Sequence, residues 1–424
     1  MVNRRKYIRG VAGIGAIAIA GCSGSDGGDG SSGGDGGSGD GGNGGGSDGS
    51  SGSTDGGSSE EIVVGASMSL SGSFSTNAVH VGNSYRLWEK QVNENGGIGG
   101  RQVRLEMQDD QSKTENAVKA VQRVIEQQDA DAILGPYSSG ITAAVMGAVE
   151  EFGVPMIAPM ASSPSIFSAD KRWSFMGYPM AGTSWEPDAR LLAENGANKV
   201  AILRTDVAVH ELEAQGAKEE LDAKGIEHQT WTNQFGAEDL STQVSEMAGY
   251  DPDSVYLITY GGTTLAALRE LINQGVDPDH ITGVTTGSET LQDTIGANVN
   301  GIFGHSPWST NLETEQATQV IDAYVSEFQM QPTFHFALGY SSAQAYQKAV
   351  EGAGSAEKGA VRDYLENNAI PGTLTGTFEV NDQYRQVGYD WLTAQWQNGN
   401  KEILFPEEKA TADEIIWPKP DWGV

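Results

Sequence analysis

An α/β fold, with parallel sheets flanked by helices in two similar units, is what this sequence predicts, and three observations predict it. Short apolar runs rich in Val and Ile alternate with stretches whose apolar residues recur at helical spacing, the pattern of βαβ units and a parallel sheet. That alternation runs twice, with a break near Tyr178. Of the 424 residues, about 365 from Glu60 onward have a composition that can fold, more than one hydrophobic core usually serves.

The chain opens on an address rather than on structure. Arg4, Arg5, Lys6 and Arg9 form a basic segment, and residues 11–20 form an apolar run too short to span a bilayer. Small residues then lead to Cys22, the only cysteine. The pattern resembles a lipoprotein signal over 1–21, with Cys22 lipidated, and the arginine pair resembles a twin-arginine export signal. The lipid would tie the chain to the outer face of the cytoplasmic membrane. Residues 23–59 hold 18 Gly, 11 Ser and 6 Asp. No side chain there can offset the entropy of ordering, so 22–59 is expected to be a flexible linker.

The charge excludes several functions. Lys plus Arg is 26 and Asp plus Glu is 57, a net −31, against nucleic acid as a partner. The acids are scattered, as on a solvated surface, and the balance resembles halophilic proteins, in which salt screens the repulsion. With six histidines and one cysteine, a thiolate metal site is not expected. No Gly-x-Ser-x-Gly elbow, phosphate loop or His-Glu-x-x-His motif occurs, and His210-Glu211 lacks a second histidine four residues on, so no enzyme activity and no cofactor are expected.

In order, the first unit predicts strands at 62–66, 103–107, 132–134 and 154–158, with helices at 81–93, 114–127 and 141–152 between them. Residues 81, 85, 88 and 92 carry the first helical stripe, which Gly96-Gly97 stops. The second unit predicts helices at 185–194, 211–223 and 265–273 and strands at 200–203, 255–258 and 281–284. Three helices follow at about 313–329, 335–352 and 357–367, then two strand-like pieces at 376–380 and 389–395.

Several segments together resemble one family. Met68-Ser69-Leu70-Ser71-Gly72, then Asn93-Glu94-Asn95-Gly96-Gly97-Ile98-Gly99-Gly100 and Asp109-Asp110, are similar to the opening of type I solute-binding proteins of importers for branched-chain amino acids, amides and urea. Gly135-Pro136-Tyr137-Ser138-Ser139, Gly153-Val154-Pro155-Met156 and Tyr260-Gly261-Gly262 continue the likeness. The resemblance implies a two-lobe periplasmic binding protein type I fold with three hinge crossovers. It places lobe one at 60–178 and 308–372, lobe two at 179–307 and 373–400, and a tail at 401–424. It implies a single copy that takes a small amino acid, branched-chain first, into the interlobe cleft and passes it to permease and ATPase subunits. Amides, urea or another small solute, or a sensing role, are the alternatives.

The expected site follows from the same likeness and from helix physics. Ser138 and Ser139 lie between a strand and a helix, where free N–H groups suit a carboxylate; a serine there is also a common helix cap. The resemblance assigns Ser139 and Ser162 to the ligand's head group, Met160 and Ala161 to the same loop, Tyr260 to the second lobe and Glu289 to the ligand ammonium. Where many relatives have a tyrosine after strand 200–203, this chain has Val207-Ala208-Val209-His210. Where many have Phe-Arg at the first crossover, it has Phe175-Met176-Gly177, and Trp185 is expected to fill that gap or the core.

Overall fold

The computed structural model describes residues 61–288, 291–312 and 315–423. The export segment with Cys22, the Gly/Ser/Asp run and Glu289 lie outside the described residues. In the first lobe, β1 (Ile62–Met68), β2 (Val103–Asp109), β3 (Ala132–Leu134), β4 (Met156–Ala158) and β5 (Ser174–Met176) make a parallel sheet in the order β2-β1-β3-β4-β5. Helices α1 (Ser75–Glu94), α2 (Thr114–Gln128) and α3 (Ser139–Phe152) connect the strands. All seven residues of β1 are buried, as a central strand covered on both faces requires.

The second lobe repeats the scheme with α4 (Glu186–Glu194), β6 (Lys199–Thr205), α5 (Ala208–Lys224), β7 (Glu227–Asn233), α6 (Ser241–Tyr250), β8 (Ser254–Ile258), α7 (Gly261–Gln274) and β9 (His280–Gly283). Its sheet is also parallel, in the order β7-β6-β8-β9. After α8 (Leu291–Ile295) and β10 (Phe303–Ser306) come α9 (Glu315–Phe328), α10 (Phe334–Ala353) and α11 (Lys358–Asn367). The hairpin β11 (Ile370–Thr373) and β12 (Gly376–Phe378) precedes the antiparallel pair β13 (Leu392–Gln397) and β14 (Asn400–Phe405), and β13 also pairs with β10.

Each sheet is sandwiched between apolar layers. On one side of the first lie Tyr85 and Trp88 of α1 with Tyr324, Phe336 and Tyr346 of α9 and α10. On its other side lie Val121 and Val124 of α2 with Val145 and Val149 of α3. In the second lobe, Leu257, Leu268 and Leu271 fill one layer, and Trp185, Ala217 and Leu221 fill the other. The chain passes between the lobes between Met176 and Trp185, between Phe303 and Trp308, and between Tyr389 and Trp396.

The third passage lies later than the expected lobe boundary at 372–373, because Leu374, Phe378, Val380, Tyr384 and Tyr389 are buried in the first lobe's core. Residues 401–424 also differ from a separate tail. β14 pairs with β13, Trp422 is buried in the second lobe, and its Nε1 donates to the Val276 carbonyl at 2.8 Å. β7 and α6 are among the elements that have no counterpart in the sequence reading. β7 is a sheet-edge strand with only Trp231 and Asn233 buried, and α6 buries only Val244 and Met247. Neither carries enough apolar residues for its period to stand out.

Candidate functional site

A pocket opens between the lobes beyond the C-terminal ends of their strands, where open α/β sheets place ligands. The first lobe lines it with Tyr137, Ser138, Ser139, Met160, Ser162, Phe334 and His335. The second contributes Val209, His210, Glu213, Tyr260, Val284 and Thr285, and the crossovers add Tyr178 and Trp391. Counting its open mouth, the space is about 550 Å³.

The first wall is made of hydroxyls at a helix start. Ser138 stands at φ 81° just before α3, and its Oγ accepts the Ile141 N–H at 3.3 Å. Its hydroxyl therefore serves the helix as a cap. Ser139 Oγ accepts the Ser163 N–H at 3.2 Å, tying the β3–α3 loop to the β4 loop. The Ser162 carbonyl accepts the Ala181 N–H at 2.7 Å and so fixes the first crossover. Behind the serines, Tyr137 Oη lies 3.0 Å from His335 Nε2. Burial pushes the Tyr137 hydroxyl up and the His335 imidazole well down, so both stay neutral.

The second wall comes from the start of α5. Helical spacing sets Val209 and His210 one turn before Glu213, and all three reach the pocket. Gly216 makes this possible, because a Cβ there would lie 2.1 Å from the Gly182 carbonyl oxygen. The first crossover can thus lie directly on α5, and the Gly182 N–H donates to Glu213 Oε2 at 2.8 Å. Trp185 Nε1 donates to the same oxygen at 3.0 Å. Burial raises the Glu213 carboxyl above its ordinary range against these two hydrogen bonds. His210 is buried, its Nδ1 has no hydrogen-bond partner, and burial lowers it to about 3. Tyr260 precedes α7, its ring 4.4 Å from that of His210.

This architecture has known relatives. The profile of the periplasmic binding protein family matches residues 61–401. The chain belongs to that family. Among its relatives is the leucine-, isoleucine-, valine-, threonine- and alanine-binding protein of Pseudomonas aeruginosa, 23% identical over 310 residues, which cover 72% of this chain and 82% of the relative. The Leu/Ile/Val-binding protein homolog 2 of Brucella abortus is 22% identical over 353 residues, 81% of this chain and 92% of the relative. Among solved structures, the substrate-binding protein LivJ of Streptococcus pneumoniae in complex with isoleucine superposes with a TM-score of 0.73 at 22% identity, covering 84% of this chain and 100% of that one. A solute-binding protein from R. palustris in complex with benzoate gives 0.74 at 19%, covering 84% and 99%. The family is one of solute-binding proteins, not of enzymes.

In this periplasmic binding protein the structure brings Ser138, Ser139, Met160, Ser162 and Tyr260 to one pocket. It does not bring two others there. Ala161 is buried in the first lobe's core, since its side chain turns away from the pocket face. Trp185 is fully buried in the second lobe, stacked on Tyr256 at 5.1 Å, and reaches the pocket only through its hydrogen bond to Glu213. The sequence reading missed Glu213, His210, Tyr178 and Trp391. A signal for Glu213 existed: it stands in a buried stripe with His210, Ala214, Ala217 and Leu221, where a glutamate is out of place unless it has a task.

Proposed function

We propose that this chain is the exported, lipid-anchored binding subunit of an ABC importer, which captures a small α-amino acid and delivers it to permease and ATPase subunits. The observation that carries this reading is the first wall: two serine hydroxyls, of Ser139 and Ser162, beside the start of α3, a donor set suited to a carboxylate. The ligands named for the relatives favour aliphatic amino acids, with leucine, isoleucine and valine first. Cys22 would hold the chain to the membrane, and the linker would let the lobes stand away from it.

A second reading, an aromatic carboxylate, is favoured by Tyr137, Tyr178, Phe334 and Trp391 around the pocket and by the benzoate-bound neighbour.

One experiment tests these together. Membrane and soluble fractions of cells making wild type or Cys22→Ser are assayed for amino-acid and benzoate binding in molar KCl. Binding of amino acids should follow the membranes for wild type and the supernatant for the variant. Ser139→Ala should weaken it about 5- to 160-fold, the cost of an unmet polar contact of about 1–3 kcal/mol. Binding of benzoate alone would decide for the second reading.

A further inference from the structure

The inference concerns Glu213 and rests on reading the cleft as an amino-acid site. The carboxyl is 97% buried, faces the pocket, and is held by two neutral donors on one oxygen, the Gly182 N–H and Trp185 Nε1–H. Among the described residues it has no ion pair. Arg204, a cation of the same lobe, pairs instead with Glu211 at 2.6 Å and Asp206 at 3.5 Å. A buried carboxylate needs a cation or further donors, and the open direction here is the ligand space. The groups around it repeat the demand. His210 is neutral and offers no charge, and His305, which acts on Glu213 through space, is taken up by Asp188 at 2.7 Å, while the rings of Tyr178, Tyr260 and Trp391 line the same space and suit a cation against their faces. The opposite wall presents serine hydroxyls. The pocket is therefore dipolar, with donors on the first lobe and an acceptor on the second.

We propose that Glu213 receives the ligand's cationic nitrogen, so that the cleft selects compounds carrying both a carboxylate and an ammonium group. Where the resemblance places a tyrosine after β6, this chain sets Val209 and the neutral His210, and the acid one turn further along α5 meets the ligand instead.

The test is calorimetric titration of the full chain with leucine, alanine and threonine and with the des-amino acid of each. Wild type should bind each amino acid at least about 30-fold more tightly than its des-amino counterpart, the scale for a buried charged hydrogen bond. Glu213→Gln has the same size and keeps an oxygen for Gly182 and Trp185, so a role limited to fixing the crossover survives it. It should lose that preference while still binding the des-amino acids as wild type does. Glu213→Asp, which keeps the charge, should retain most of it. If wild type takes amino acids and Glu213→Gln takes them as tightly, the inference fails and the amino-acid reading stands. If wild type takes none, the amino-acid reading fails and the inference falls with it.

Discussion

His210 at the pocket aside, the two lobes bury histidines in opposite ways. In the first, His80 Nδ1 lies 2.8 Å from the Tyr324 hydroxyl and His335 Nε2 lies 3.0 Å from that of Tyr137. The partners are neutral, and burial lowers His80 to about 4. In the second, His305 Nε2 and His280 Nε2 lie 2.7 Å and 3.3 Å from the carboxylate of the fully buried Asp188. Ser184 and Ser254 engage the other ring nitrogens at 2.7 Å and 2.8 Å. Burial pushes the Asp188 carboxyl up, but the two histidines outweigh it and hold it well below the usual range. The difference teaches where each lobe keeps its rigidity. The first wall rests on an aromatic and aliphatic core. The second is stitched by a charged cluster joining the first crossover, α4, β9 and β10, directly behind the Trp185 that holds Glu213.

Removing the centre of that cluster should have the largest effect. Asp188→Ala leaves His280 and His305 facing a void, and breaking a buried pair costs about 3–5 kcal/mol. Denaturant unfolding in molar salt should show the loss. A change below 1 kcal/mol would mean that the second lobe does not depend on charge, and the contrast between the lobes would collapse.

In the first lobe the buried histidine should show itself through pH. The His80 imidazole is depressed from 6.5 to about 4 in the folded chain. Its contribution is therefore fully present above pH 6.5 and is lost as pH falls from there toward 4. At about 1.4 kcal/mol per unit, close to 2 kcal/mol should be gone at pH 5. His80→Gln keeps a group for Tyr324 and should flatten stability against pH by about that amount. Asp110, Asp131 and Glu150 are raised by burial and act in the other sense, so the measurement is the difference between variant and wild type, not either curve. Equal slopes would show that His80 is not carrying the acid sensitivity.

The same contrast explains what could be read from the chain alone. The first wall was legible because its residues sit in short contiguous motifs: Tyr137-Ser138-Ser139 and Met160-Ala161-Ser162 each follow an apolar strand. Position along such a motif says which residues reach the strand end, but not which way each points. Ala161 faces the core for that reason. The second wall was not legible, because it is assembled from distance. Asp188 stands about a hundred residues ahead of His280 and His305 in sequence, and Glu213 is one of 57 acids. Only its place in the buried stripe of α5 sets it apart. The lobe boundaries were blurred where apolar residues after the β11–β12 hairpin pack on the first lobe, since hydrophobicity shows that a residue is buried and not in which core.

The smallest expected effect lies where the two lobes meet. Phe74, ahead of α1, sets its ring 5.3 Å from Phe235 and 5.5 Å from Tyr260 of the second lobe. Phe235 and Tyr260 also touch each other, at 5.5 Å, but that contact lies within one lobe and is indifferent to opening. Phe235 is 42% exposed, so little of its burial depends on closure, and its one pair across the seam is worth about 0.5–1.5 kcal/mol. Phe235→Ala should therefore favour the open form by about two- to tenfold. Small-angle scattering of the ligand-free chain should show a larger radius of gyration. Ligand affinity should fall by no more than the same factor, because a ligand that needs the closed form carries the cost of its lower population. The pocket itself should be unchanged, so preference between an amino acid and its des-amino acid should stay at the wild-type value. A fall in affinity beyond tenfold, or a change in that preference, would place Phe235 against the ligand and move the mouth of the site to the second lobe.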